Sequence, residues 1–355
     1  MNSKTVYTLT FHSVLNHGAV LQAYALQNYI LSKGYKSEII NYRPWYLTYQ
    51  VLRPAKGINK TILKYKRLYL FKKFTTKHLA LSRNSITSQS QFSKLENYHA
   101  VVCGSDQIWN KHITGKKHDP AFFLSFASEG ARKIAYAASA GGNLLSQEPG
   151  LGSHTKTFDS IGVREQHLKQ DILDHKLHHS PELVADPTFL ISDYKAITSL
   201  KRVPSGKYIV SYEVSSDETR TKLNAFLLKL KEMTGLPVYH IGDKKISAAD
   251  VCLLDISPSD WVGLIQSASL VCTNSFHGTA LSLNFNKPLV FVTHIEDEKN
   301  ARPLSLLNKT NLECVSYKNI EELESKDIWQ VYDKTKLNDF IHFSQRFLDQ
   351  ALSSK

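Results

Sequence analysis

The stretch VCTNSFHGTALSLNFNKPLVFV, Val271–Val292, holds a single histidine, His277, between Phe276 and Gly278. Asn274, Ser275 and Thr279 surround it with short hydrogen-bonding groups, and apolar runs flank the whole. An imidazole titrates near neutral pH and can give or take a proton in a reaction. A glycine at a helix start allows close backbone approach, and the free N–H groups of a first turn favour anions. The competing reading is a histidine hydrogen-bonded inside the core. The pattern leaves both open.

VVCGSDQIWN, Val101–Asn110, puts Ser105, Asp106 and Gln107 in a tight turn after an apolar strand, either as exposed polar groups or as a helix cap; Trp109 is read as core. FDSIGVRE supplies Arg164, whose guanidinium could fork onto a carboxylate or phosphate. Its alternative is an ion pair with Glu165 or Asp159. TFHSVLNHGAVL offers His12, Asn16, His17 and Gly18 in the first strand–helix loop, but not the G-x-G-x-x-G of a dinucleotide site. HKLHH, His175–His179, has spacing that could chelate a metal, and is read instead as a solvated helix end. No metal site is expected. No D-x-D triplet occurs, which argues against a metal-dependent sugar-nucleotide transferase.

These residues need strands and helices to hold them. VYTLTF, SEIINY, HAVVCG, KIAYAAS and SIGVRE read as strands in the first half, with helices over GAVLQAYALQNYILSKG and EQHLKQDILDHKL. In the second half KYIVSYEV, PVYHIG, LVCTN and PLVFVT read as strands. Helices are expected over Asp217–Thr234, PSDWVGLIQSA and GTALSLNF, and a long amphipathic one over TKLNDFIHFSQRFLDQAL. The alternation predicts an α/β fold of two Rossmann-like domains facing a cleft. Residues 1–197 form the first, with a basic insertion at 43–95. Residues 198–332 form the second, and 333–355 form a helix packing back on the first. His277, Ser105–Asp106 and Arg164 then all fall just past the carboxyl ends of strands, where open α/β sheets bind ligands.

The chain has 355 residues, 42% hydrophobic and 21% charged, an ordinary globular balance. Cys103, Cys252, Cys272 and Cys314 form no C-x-x-C pair and read as reduced thiols. No signal-peptide core and no apolar run of transmembrane length is apparent, so a cytoplasmic protein is expected, with peripheral membrane contact left open. The net charge of +12 is concentrated: Ile39–Leu95 contains twelve Lys or Arg and no acid, which leaves 44 − 12 = 32 basic residues against 32 acidic ones elsewhere. Within it, KGINKTILKYKRLYLFKKF interleaves lysines with Ile, Leu and Tyr. Over 53–83 this could dock an anionic membrane surface or be a solvated helix face. No nucleic-acid motif accompanies it, and nucleic acid is not an expected partner.

NHGAVLQAYALQNYILSKGYKSEIINYRP, VVCGSDQIWN, KIAYAASAGG, FDSIGVRE, VADPTFLI and TNSFHGTALSLNFNKPLVFV occur in this order. As an ordered set over most of Met1–Leu312 they resemble the polysaccharide pyruvyl transferase family. The resemblance implies a fold like the two-domain GT-B glycosyltransferases. It also implies transfer of a pyruvyl group from phosphoenolpyruvate onto a sugar of a cell-surface polysaccharide or its lipid-linked precursor, forming a ketal. The family's S-x-R-x-H histidine falls on His277 and its arginine on Ser275; Arg302 could supply that charge. Arg164 matches the arginine of an S-x-R-[DE] motif, with Gly162 in place of the serine. The donor's carboxylate and phosphate call for arginine and helix-start donors, and the proton transfers for one acid and one base, without a metal or cofactor. His277, Asp106 and Arg164 are the expected catalytic residues. Asn16, His17, Gly18, Ser105, Gln107, Asn274, Ser275, Gly278, Thr279 and Arg302 are the expected substrate-binding residues. Two alternatives stay open: a GT-B-like glycosyltransferase using a nucleotide sugar, and a non-catalytic glycan-binding or assembly protein.

Overall fold

The computed structural model describes residues 4–115, 118–141, 145–147, 151–214, 217–330 and 332–353. Gly142, the last residue of KIAYAASAGG, lies outside them, as do Ser354 and Lys355 of the C-terminal segment. The chain divides into two compact units. The first comprises Met1–Pro54, Phe71–Ile191 and Asn338–Lys355, and the second Ala55–Leu70 and Ser192–Leu337. The basic stretch 43–95 is thus divided between them.

In chain order the elements up to residue 191 are β1 (Thr5–Leu9), α1 (His17–Ser32), β2 (Lys36–Ile39), α2 (Trp45–Leu52), α3 (Ile58–His78), β3 (Ala100–Cys103), β4 (Arg132–Ala138), α4 (Leu151–Thr155), β5 (Ser160–Val163), α5 (Gln166–Asp174) and β6 (Pro181–Leu183). The strands form one parallel sheet in the order β2-β1-β3-β4-β5-β6. Its chain order reverses between β1 and β3. Ala100–Cys103 is buried at every position, as a strand covered on both faces must be. α1 is buried nearly all round, which explains its continuous apolar sequence.

The second unit follows with β7 (Ile209–Tyr212), α6 (Asp217–Thr234), β8 (Val238–Ile241), β9 (Val251–Leu253), α7 (Pro258–Ser267), β10 (Leu270–Thr273), α8 (Phe276–Asn284), β11 (Leu289–Val292), α9 (Asp297–Thr310), β12 (Ser316–Tyr317) and α10 (Glu322–Ser325). The sheet is again parallel, in the order β12-β11-β10-β7-β8-β9, with its reversal between β7 and β10. α7 starts where Pro258 and a reciprocal Ser257–Asp260 capping box dictate.

α11 (Thr335–Ser353) ends the described chain. Its Leu348, Ala351 and Leu352 join Val6, Ala100, Val102 and Ile134 in one apolar cluster of the first unit. Ser344 Oγ accepts from the Ala185 amide at 2.8 Å, and Arg132 Nε and His99 Nε2 reach the last-turn carbonyls of Ala351 and Leu352 at 2.5 and 2.7 Å. The Arg132 guanidinium there meets the negative end of the helix. All four cysteines are free. Among the described residues no helix is long and apolar enough to cross a membrane.

Candidate active site

In the first unit the loops after β1, β3, β4, β5 and β6 converge at the carboxyl ends of the strands. The Gly104–Ser105 peptide is cis, and Asp106 has φ 77°, a left-handed conformation rare outside glycine. Gly104, at φ 116°, is required: a Cβ there would lie 2.1 Å from the Tyr136 carbonyl oxygen. The Ser105 amide donates to Gln22 Oε1 at 3.0 Å, while Gln22 Nε2 donates to Thr10 Oγ1 at 2.7 Å and Thr10 Oγ1 donates to the Ser105 carbonyl at 3.0 Å. One α1 side chain thereby clamps the β1 and β3 loops together.

Arg164 follows β5 and its side chain is 2% exposed. Nη1 donates to Asp186 Oδ2 at 2.8 Å and to Ser105 Oγ at 3.3 Å. Nη2 lies 3.7 Å from Asp106 Oδ1, and Nε lies 4.0 Å from Glu165 Oε1. Ser105 Oγ itself donates to Asp186 Oδ2 at 2.9 Å, and Ser139 Oγ donates to Glu165. Burial alone would lower the Arg164 pKa, but Asp186, Glu165 and Asp106 outweigh it and hold the pKa above the ordinary value. Three carboxyl groups thus stand around one buried guanidinium, and an anion reaching Arg164 would have to share it with Asp186.

Other residues from the sequence reading have structural partners. Asn16 caps α1 by accepting from the Ala19 amide at 3.2 Å. His17 and Gly18 are buried in the first turn, with the His17 ring edge-on to Phe71 at 4.8 Å. Gln107 Oε1 accepts from Asn110 Nδ2 at 2.7 Å. Trp109 is fully buried and stacks on Phe123 at 5.4 Å, as a core residue. In the His175–His179 run, His175 Nδ1 sits 3.3 Å from Asp171 Oδ1, and His178 is held between the Phe158 carbonyl and the Ser180 amide. No group of three metal-ligating side chains is poised for an ion among the described residues.

In the second unit His277 is 5% exposed. The sequence reading placed it before a helix beginning at Gly278; the structure starts α8 at Phe276, because Ser275 caps it by accepting from the Gly278 amide at 3.4 Å. His277 is therefore the second residue of the first turn, its ring edge-on to Phe276 at 5.2 Å. Gly278 has a reason within the fold: a Cβ there would lie 2.5 Å from Thr273 Oγ1. That hydroxyl donates to the Tyr212 carbonyl at 2.6 Å and accepts from the Ser275 amide at 3.0 Å, tying β7, β10 and the helix start together.

Asn274 Oδ1 accepts from the Val214 amide at 3.0 Å, while its buried Nδ2 and the buried Thr279 Oγ1 make no hydrogen bond among the described residues. Behind Asn274, His294 Nε2 donates to the Asn274 carbonyl at 2.8 Å, and Asn300 holds the His294 backbone through two bonds of 2.7 and 3.0 Å. Burial lowers the His294 pKa, and the charges of Lys299 and Arg302 push the same way. Arg302, on α9, thus acts on the histidine that supports the Asn274 loop. Lys222 Nζ donates to the Thr293 carbonyl and Oγ1 at 2.8 and 2.9 Å.

Sequence reasoning assigned no role to Asp186, Gln22, His294 or Lys222. VADPTFLI and PLVFVT with the following His294 did carry a signal: a polar residue directly after an apolar strand. For Gln22 and Lys222 there was none, because each reaches a loop far off in sequence.

A sequence profile of the polysaccharide pyruvyl transferase family matches residues 16–296. No curated protein sequence matches the chain. Among solved structures, a glycosyltransferase from Rickettsia africae ESF-5 superposes with TM-score 0.54 at 12% identity over 100% of both chains. A putative UDP-N-acetylglucosamine 2-epimerase from Listeria monocytogenes gives 0.53 at 10% identity, over 99% of this chain and 91% of that one. The UDP-GlcNAc 2-epimerase from Methanocaldococcus jannaschii gives 0.52 at 10% identity over 98% of both. At these identities the likeness is one of fold, the GT-B architecture of glycosyltransferases and epimerases.

Proposed function

The chain belongs to the polysaccharide pyruvyl transferase family, and from that premise we propose that it moves a pyruvyl group from phosphoenolpyruvate onto two hydroxyls of a polysaccharide or lipid-linked sugar. The observation that carries this reading is the family match over 281 residues (296 − 16 + 1), which takes in His277, Asp106 and Arg164. The reaction is proposed to run in the cytoplasm or at the inner face of a membrane.

C3 of the donor gains a proton, and positive charge develops at C2. One sugar hydroxyl attacks C2 and loses its proton. The C2–O bond to phosphate breaks, and inorganic phosphate leaves with a proton. The second hydroxyl then attacks C2 and loses its own proton, closing the ketal. Two protons leave hydroxyls, one reaches carbon and one reaches phosphate.

We take His277 and Asp106 as the acid–base pair. An imidazole in a helix first turn is held by backbone geometry rather than by a mobile loop, which suits a group that must meet a reacting atom. The unbonded Nδ2 of Asn274 and hydroxyl of Thr279 are donors for an anionic donor group. Arg164 orients Asp106 through its 3.7 Å contact and presents positive charge to the phosphate or carboxylate. Asn16, His17, Gly18, Ser105 and Gln107 of the first unit and Ser275, Gly278 and Arg302 of the second are proposed as further substrate-binding residues, Arg302 supplying charge near His294. No step in this scheme calls for a metal.

The test mixes pure protein with phosphoenolpyruvate and a panel of sugar acceptors, and follows inorganic phosphate and the product mass. Phosphate release that depends on an acceptor, with a product carrying a pyruvyl ketal, is the expected result. Release of nucleotide from a nucleotide sugar would replace this reading with glycosyl transfer. Acceptor binding without turnover of either donor would replace it with a glycan-binding role.

A further inference from the structure

α3 turns to solvent residues that a solvated helix face would hide. Ile58, Ile62, Tyr65 and Tyr69 follow at steps of four, three and four residues, so they form one stripe along the helix. They are 80%, 51%, 41% and 64% exposed. Phe71 and Phe74 are buried on its far side. Lys66, Lys72 and Lys73 are exposed and flank the stripe at its edges. α2 carries the same design by itself: Trp45, Tyr49 and Leu52, at steps of four and three, are 76%, 61% and 50% exposed. A row of large apolar groups on the surface marks an interaction site, and here it lies in the acid-free stretch Ile39–Leu95 with its twelve basic residues.

We propose that this face of α3 docks the protein on an anionic lipid bilayer. The isoleucines and tyrosines enter the boundary between headgroups and acyl chains, with each tyrosine hydroxyl kept in the wet layer. The flanking lysines sit over lipid phosphates. Charge complementarity selects this occupant. A second copy of the chain would bring two basic helices that carry no acidic residue together, which like charges oppose. A nucleic acid would need cations across the middle of the face, whereas here they border an apolar strip.

The proposal is independent of the chemistry at the candidate active site. Its test uses the full chain in co-sedimentation with phosphatidylcholine vesicles, with and without phosphatidylglycerol, at low and high salt. Binding is expected with the anionic vesicles only, and it should fall as salt screens the lysines. Two variant sets separate the two contributions: Ile62→Ser with Tyr69→Ser, and Lys66→Gln with Lys72→Gln and Lys73→Gln. All five positions are exposed, so the melting temperature should hold, and each set should weaken binding by at least about tenfold. Phosphate release with a soluble acceptor should be unchanged in both, so failure of docking and failure of pyruvyl transfer are told apart. Equal binding to neutral vesicles, or vesicle binding unmoved by both sets, overturns the proposal. So does a solution dimer dissolved by Ile62→Ser with Tyr69→Ser, or binding to duplex DNA in the absence of vesicle binding.

Discussion

Arg164 and Asp186 form an ion pair of 2.8 Å, with 2% and 0% of their side chains exposed, at the carboxyl ends of the adjacent strands β5 and β6. Removing one partner of a buried pair strands the other charge, which is far costlier than the pair is worth. Asp186→Ala is expected to destabilise the fold by about 3–5 kcal/mol, seen as a lower urea midpoint at unchanged slope. Asp186→Asn, which keeps an acceptor for the guanidinium, should lose less. A midpoint unmoved by Asp186→Ala would mean that Arg164 is satisfied without it.

Arg164→Lys should fold but turn over poorly. An ammonium cannot face Asp186, Ser105 and Asp106 at once as a planar guanidinium does. Steady-state kinetics should register a raised KM for phosphoenolpyruvate. A KM equal to that of the parent would remove Arg164 from donor binding.

For His277 the expected outcome is a normal melt and a loss of roughly 10²–10⁴-fold in phosphate release on His277→Ala, the usual scale for an acid–base group. His277→Asn should be about as poor, since its amide can hydrogen-bond but cannot give or take a proton near neutral pH. Turnover within about threefold of the parent would make His277 a packing residue.

Gly278→Ala should cost ~1–3 kcal/mol, a typical overpacking cost. Its Cβ would stand 2.5 Å from a Thr273 hydroxyl that two backbone bonds hold in place. Because the clash displaces the first turn of α8, activity should fall with stability. A parallel thermal melt and phosphate assay would measure both, and an unaltered melt would mean that the turn yields freely.

Two buried histidines predict acid sensitivity. Burial holds His12 and His240 neutral, each with its pKa lowered to about 4. Between the unfolded value of about 6.5 and about 4, the unfolded chain binds the proton and the folded chain does not. Stability contributed by these groups is therefore full above about 6.5 and is lost as pH falls towards about 4, on the order of 3 kcal/mol for each. Urea titrations across that range should show the fall, and His12→Gln should flatten it by one site. A profile identical in the variant would assign the acid sensitivity elsewhere.

Local pattern alone determined a good deal. Apolar runs of four to six residues, each followed by a polar cluster, located most of the strands and put Asp106, Arg164 and Asn274 at their carboxyl ends. Both features are set by neighbours in sequence. Trp109 was legible as core only from its size and apolar ring, and the structure buries it fully against Phe123. The start of α8 was read two residues late, since the reading began the helix at Gly278 and overlooked Ser275, whose side chain caps it.

What only the tertiary structure decided was which groups face each other across strands. The sequence offered Glu165 or Asp159 as the partner of Arg164. Asp159 stands at the opposite end of β5, where its carboxylate accepts from the Lys133 amide at 2.7 Å. Glu165 is adjacent, but its carboxylate approaches Arg164 Nε only to 4.0 Å and takes the Ser139 hydroxyl. The shortest contact goes to Asp186, because β6 lies beside β5 and brings a residue 22 positions away to hydrogen-bonding distance. The same holds for Gln22 on the Ser105 loop and His294 behind Asn274. Strand neighbours are a property of sheet order, and no periodicity within one segment encodes the side chain that the next strand will deliver.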